Sequence, residues 1–168
     1  MDYESALTCF SGDAAVDFKS GVLCMDDPST GTKIFSIEDK ACTKAFPIPV
    51  TKTKRTRQVA FGNDGKLVVS GSDHGVVYVF NRGSGRICSD LRIEGNDWVQ
   101  TVGTTEYAGV CTIFAAKSRD SVDLNDIHVW CLEKESRSCA TGMCAAVIFL
   151  QALLLAVGIV IAWAVVRV

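Results

Sequence analysis

The feature that most constrains this chain is a glycine-punctuated pattern of short apolar runs that returns every 43–45 residues. Its clearest copy lies between Arg57 and Arg92. There apolar residues alternate at period two, the spacing of a strand whose successive side chains point to opposite faces. Gln58-Val59-Ala60-Phe61 predicts a first strand, and Gly62-Asn63-Asp64-Gly65 a hairpin turn in which Asp-Gly tolerates positive φ. Leu67 to Gly71 predicts a second strand, turned by Ser72-Asp73-His74-Gly75 into a third over Val76 to Phe80. Arg82-Gly83-Ser84-Gly85 then turns into a fourth near Ile87 to Ile93. Four antiparallel strands in so few residues make a sheet too small to bury both faces alone, so the copies must stack. Val59, Phe61, Val69, Val77, Val79 and Phe80 are the expected core.

The recurrence extends in both directions. Val16-Asp17-Phe18 stands 43 residues before Val59-Ala60-Phe61, and Val102 stands 43 residues after Val59. Thr32-Lys33-Ile34-Phe35 precedes Val77-Tyr78-Val79-Phe80 by 45, behind its own turn, Asp27-Pro28-Ser29-Thr30-Gly31. In the third copy Ile127-His128-Val129-Trp130 supplies the equivalent strand, after an insertion from Lys117 to Asp126. The run VAFGNDGKLVVSGSDHGVVYVFNRGSGR resembles the WD40 repeat, whose pattern is a strand ending V-x-F, then DG, then SGS-D-x-G, then V-x-V-W. The resemblance implies propeller blades that present loops to protein partners. It is incomplete: Phe35 and Phe80 stand where the family has tryptophan, Cys131 follows Trp130 in place of aspartate, and the Gly-His before each blade is missing.

Propellers close with 4–8 blades, and this chain offers two complete units and a third without an outer strand. The expected fold is therefore mainly β, a partial WD40-like β-propeller of about three blades followed by one C-terminal transmembrane α-helix. The expected boundaries are an N-terminal segment over 1–13, blades over 14–135, a juxtamembrane linker over 136–142 and the helix over 143–166.

That helix is read from Ala140 to Val166, where no charged residue occurs. A span needs roughly 20 mostly apolar residues. Lys134 and Arg137 before the stretch, Arg167 after it and Trp163 within it suit the two interfaces. The N-terminus has neither the basic nor the apolar region of a signal peptide, so the reading is a tail-anchored, single-pass membrane protein with a cytosolic head. Gln151, Leu155, Gly158 and Ala162 share one helix face, a small-xxx-small pattern with a polar residue that suits helix association and a homo-oligomer. Cys139 and Cys144, at the membrane entrance, are candidates for lipidation; the alternative is two small membrane-compatible residues.

No catalytic constellation emerges. The two histidines, His74 and His128, have no partner at metal-ligand spacing. His74 reads as a solvated turn residue, and His128, on the same strand face as Trp130, as packing against a neighbouring blade. There is no Gly-x-Ser-x-Gly elbow or phosphate loop. The eight cysteines form no C-x-x-C pair, and Cys24, Cys111 and Cys131 lie in apolar runs as small hydrophobes. The net charge of −2 gives no footing for nucleic acid. The basic run Lys52-Thr53-Lys54-Arg55-Thr56-Arg57 reads as a solvated connection between the first two blades, with headgroup contact or a nuclear import signal as its functional alternatives. The expectation is a non-catalytic interaction module without cofactor, held to membrane lipid by its helix and binding protein partners. The alternatives are an accessory subunit that completes a partner's propeller and a degenerate fragment without a function of its own.

Overall fold

The computed structural model describes residues 12–51, 53–118 and 126–132. The chain separates into two units, Met1–Lys134 and Glu135–Val168, of which the second lies outside the described residues, and with it the expected helix over 143–166. Among the described residues no helix is long and apolar enough to cross a membrane.

The described part is built of antiparallel strands. The first sheet runs β1 (Ala14–Asp17), β2 (Val22–Asp27), β3 (Gly31–Ser36), β4 (Cys42–Pro47), in that spatial order. The second repeats it with β5 (Val59–Gly62), β6 (Leu67–Ser70), β7 (Val76–Asn81), β8 (Ile87–Arg92). The third has β9 (Val99–Tyr107), β10 (Val110–Lys117), β11 (Ile127–Leu132) and, among the described residues, no fourth strand. Each sheet is a meander in which every strand pairs with its sequence neighbour, and β5 lies beside both β1 and β9. The first strands of the three sheets are thus neighbours, as innermost strands around a propeller axis are. Odd-numbered turns (β1–β2, β3–β4, β5–β6, β7–β8, β9–β10) gather at one rim, called the first rim here, and the remaining connections at the second.

Local chemistry fixes the turns. Asn63, Asp64 and Gly65 all take positive φ (51°, 51° and 72°), and the tight β9–β10 turn places Ala108 and Gly109 there too (50° and 79°). Two successive positive values match the right-handed twist of the strands they join. Gly71 is needed for a different reason: a Cβ there would stand 2.1 Å from the Val99 carbonyl oxygen, so only glycine lets the second sheet approach β9.

Alternation then divides each sheet into two faces. Cys24 and Ile34 of the first sheet meet Val59, Val68 and Phe80 of the second, with the Phe46 ring tilted against Phe80 at 5.2 Å between ring centres. On its other face the second sheet sends Val69, Val77 and Val79 against Val102, Ile113 and Ala115 of the third. Of the six expected core residues five are buried; Phe61 is half-buried, with the Arg82 guanidinium 5.5 Å over its ring.

The register corrects one part of the sequence reading. The β1–β2 turn is centred between Lys19 and Ser20 and the β5–β6 turn between Asp64 and Gly65, 45 residues on. Val16 is therefore the counterpart of Phe61, not of Val59. A shift of two residues keeps a side chain on the same face, so the face was read correctly and the position was not.

Candidate interaction surfaces

A stack of three sheets has two end faces. On the third sheet, the side chains that alternate with the buried Ile113 and Ala115 point away from the second sheet. They include Phe114, Ile127 and Val129, paired across β10 and β11, with Ile127 70% and Val129 54% exposed. Tyr107, on the same face of β9, is 83% exposed. On the first sheet the face away from the second carries Val16, 42% exposed, with Leu23 and Met25 half-buried and Phe35 buried. Phe18, in the β1–β2 turn, is 87% exposed. These positions correspond to those that form the two internal junctions. Uncovered apolar sheet faces of this kind mark association surfaces.

Both rims are tied across the blades by polar side chains. At the second rim Asp26 and Arg57, each nearly inaccessible, form an ion pair of 2.7 Å, and the Asp26 carboxylate also accepts the Arg57 backbone N–H at 2.9 Å. Burial pushes the Asp26 carboxyl above the usual carboxylate range, and the Arg57 donors oppose this. Arg57 closes the basic run, so that run is not wholly a solvated connection: its last residue is buried because Asp26, from the neighbouring sheet, demands a partner. Arg55 lies 4.9 Å over the Trp98 ring, whose Nε1–H donates to the Thr56 carbonyl at 3.0 Å. Asp73 accepts the backbone N–H groups of Thr51 (2.9 Å) and Thr53 (3.2 Å), holding the connection from β4 to β5.

His74 also departs from expectation. Its Nδ1 is 2.6 Å from the Asp73 carboxylate and its Nε2 2.9 Å from the Tyr78 hydroxyl. A proton on Nδ1 satisfies the carboxylate, and Nε2 shares the second hydrogen bond with the Tyr78 hydroxyl. This is a bridging residue and not a solvated one. His128 stacks on Trp130 at 5.8 Å between ring centres.

At the first rim Arg82 donates to the Asp17 carboxylate (2.9 Å), the Gly65 carbonyl (3.0 Å) and the Ser20 hydroxyl (3.4 Å). Lys44 Nζ donates to the Arg82 and Gly83 carbonyls, and the Asp64 N–H to Glu106. A shallow cleft of about 470 Å³ opens there, lined by Ser20, Asp64, Lys66, Asn81 and Arg82. The Arg82 guanidinium in its wall is already committed to the blades.

The five described cysteines are free thiols. Cys24 and Cys111 are buried as read, whereas Cys131 is exposed, because it points to the uncovered face of the third sheet. The residues read from sequence as site candidates, Gln151, Leu155, Gly158 and Ala162 for helix association and Cys139 and Cys144 for lipidation, lie outside the described residues. Sequence reading missed the Asp26–Arg57 pair and the Asp73 node. The only signal was opposite charge at the ends of successive units.

No family model and no curated protein matches the chain. Among solved structures it is similar to the β-propeller domain of Myceliophteria thermophila Cps50 (Swd1), at 11% identity and a TM-score of 0.49, over 73% of this chain and 39% of that one. It is also similar to Kuenenia stuttgartiensis hydrazine synthase, at 11% identity and a TM-score of 0.52, over 76% of this chain and 40% of that one. The chain thus spans about two fifths of the length of either. At this identity the likeness concerns fold alone. Together with the three-sheet stack it establishes a propeller-like fold.

Proposed function

We propose that this chain is a non-catalytic interaction module of WD40-like blades, tethered to a membrane by residues 143–166 with its head in the cytosol. The observation that carries the interaction reading is the exposure of large apolar side chains on the end faces, Ile127 and Val129 on one and Val16 on the other. Such faces gain by being covered, at roughly 25 cal/mol per Å² of apolar area removed from water. The reading of a subunit that completes another chain's propeller draws on the third sheet, where β11 is the last strand among the described residues and offers an edge for strand addition.

Both parts are open to test. A photoreactive residue at position 129, in the full-length chain in cells, is expected to give discrete protein adducts that the same residue at the exposed Ile87 does not. Equal labelling at both positions refutes the interaction reading. Protease added outside sealed vesicles should digest residues 1–138, and protection of that head refutes the tail-anchored topology.

A further inference from the structure

We propose that the end faces are occupied by a second copy of this chain, joined head to tail so that the β11 face of each copy packs on the β1 face of the other. This rests on the reading of those faces as interaction surfaces and goes further by naming the occupant.

The argument begins with the junctions the chain already makes. Each joins the outgoing face of one sheet to the incoming face of the next: Cys24 and Ile34 against Val59, Val68 and Phe80, then Val69, Val77 and Val79 against Val102, Ile113 and Ala115. Among the described residues, the outgoing face of the third sheet and the incoming face of the first are the two halves of a junction of that same kind, left over. They suit each other chemically. The outgoing face presents Thr112, Phe114, Ile127, Val129 and Cys131, none of them charged. The incoming face presents Val16, Leu23, Met25 and Phe35, and the one cation in that register, Lys33, is already paired with Asp27 at 2.7 Å. Joining them buries no unpaired charge from these strands.

A foreign partner would have to carry complements to two different faces. A second copy carries both by construction. A heterologous contact yields a ring when its rotation closes, and two copies of three sheets supply six, within the 4–8 over which propellers close.

Two native thiols report the arrangement. Cys42 pairs with Phe35 on the incoming face, next to the β3–β4 turn. Cys131 pairs with Thr112 on the outgoing face, close to the β9–β10 turn. Both are exposed and both lie towards the first rim. Head-to-tail packing brings Cys42 of one copy towards Cys131 of the other, whereas a face-to-face arrangement pairs like with like.

The full-length chain, purified in a mild detergent, is treated with a short bismaleimide, and linked peptides are identified by mass spectrometry. The expected result is a particle of two chains with a Cys42–Cys131 link, lost in Cys42→Ser and in Cys131→Ser. Val16→Asp and Val129→Asp should each return the mass of one chain with unchanged β-sheet circular dichroism. A single-chain mass for the wild type overturns the proposal, as does a dimer linked through Cys131–Cys131 without the mixed link, or one that survives both aspartate variants. A monomeric wild type that still gives foreign-protein adducts from position 129 overturns the second-copy assignment and leaves the interaction reading standing. A monomer without adducts overturns both.

Discussion

Replacing Phe80 with alanine tests the blade assignment at its most committed residue. Phe80 is 1% exposed, meets the Phe46 ring in a tilted pair at 5.2 Å, stacks on Tyr78 at 6.0 Å, and belongs to the cluster joining the first two sheets. Removing the ring forfeits the transfer free energy of a buried aromatic, about 2–3 kcal/mol. The lost ring pairs add about 0.5–1.5 kcal/mol, and incomplete collapse of the cavity adds to that. The expected cost is about 3–5 kcal/mol, in line with other buried Phe→Ala changes. A small domain has only about 5–15 kcal/mol in total, so Phe80→Leu, at about 1–2 kcal/mol, serves as the milder companion. Urea unfolding followed by tryptophan fluorescence reads both, against Ile87→Ala on the exposed outer strand, which should stay within about 0.5 kcal/mol. If Phe80→Ala unfolds at the wild-type midpoint, the ring does not sit between two sheets and the stacking argument is wrong.

Arg57→Ala, which leaves the buried Asp26 carboxylate without its partner, should destabilise by about 3–5 kcal/mol, and Asp26→Leu with Arg57→Met should recover most of it in the same urea assay. Asp17 is held below the usual carboxylate range by the Ser20 hydroxyl bond against burial, with Arg82 assisting; at Asp27 burial is outweighed by Lys33, Thr30 and Ser29 together, giving about 2. Folded values below the unfolded one mean stabilisation complete above about pH 4 and lost as pH falls through the folded value, while the raised Asp26 acts in the opposite sense. Asp27→Asn should therefore lower the urea midpoint at neutral pH and flatten its fall between pH 4 and 2; an unchanged slope refutes the Asp27 assignment. Burial pushes the Cys24 thiol up to about 12 and raises that of Cys111, so in the folded chain maleimide should modify Cys88, exposed on β8, quickly and Cys24 and Cys111 only after urea, as peptide mass spectrometry would show.

What the sequence made legible follows from what a local pattern can encode. Period-two alternation and turn chemistry are local, and they gave the strands of the second sheet to within a residue at either end. The first sheet was found only through the second, because β1 reads Ala-Ala-Val-Asp and carries too little hydrophobic contrast to fix its own register. A two-residue slip leaves every side chain on its proper face, so nothing in the pattern could expose the error at Val16. The polar ties were opaque for another reason. Arg57 reaches Asp26 across 31 positions and Asp73 holds Thr51 across 22, pairings that exist only once the sheets have stacked. Arg57 looked like one more cation in an exposed run, and His74 like one more turn residue, since neither its bond to Asp73 nor that to Tyr78 has a spacing rule behind it. Cys131 failed in the opposite direction. Its apolar neighbours announced a core strand, but among the described residues no fourth sheet covers the face it occupies.

Closure matters to a stack of three sheets through the number of its junctions. Stability in stacked repeats is approximately a sum of unit terms and nearest-neighbour junction terms. Three sheets in a row have two junctions, and among the described residues only the second sheet is covered on both faces. A ring of six has one junction per sheet, so the head-to-tail pairing proposed above raises the share from two thirds to one while creating no new type of contact. Against this stands the loss of translational and rotational freedom, roughly 4–15 kcal/mol, which a two-copy ring meets once while forming two junctions. Tethering by the proposed span at 143–166 would reduce that loss further, since confinement raises the effective concentration of the heads without adding any contact. The first and third sheets are then the surfaces through which the chain finds its copy.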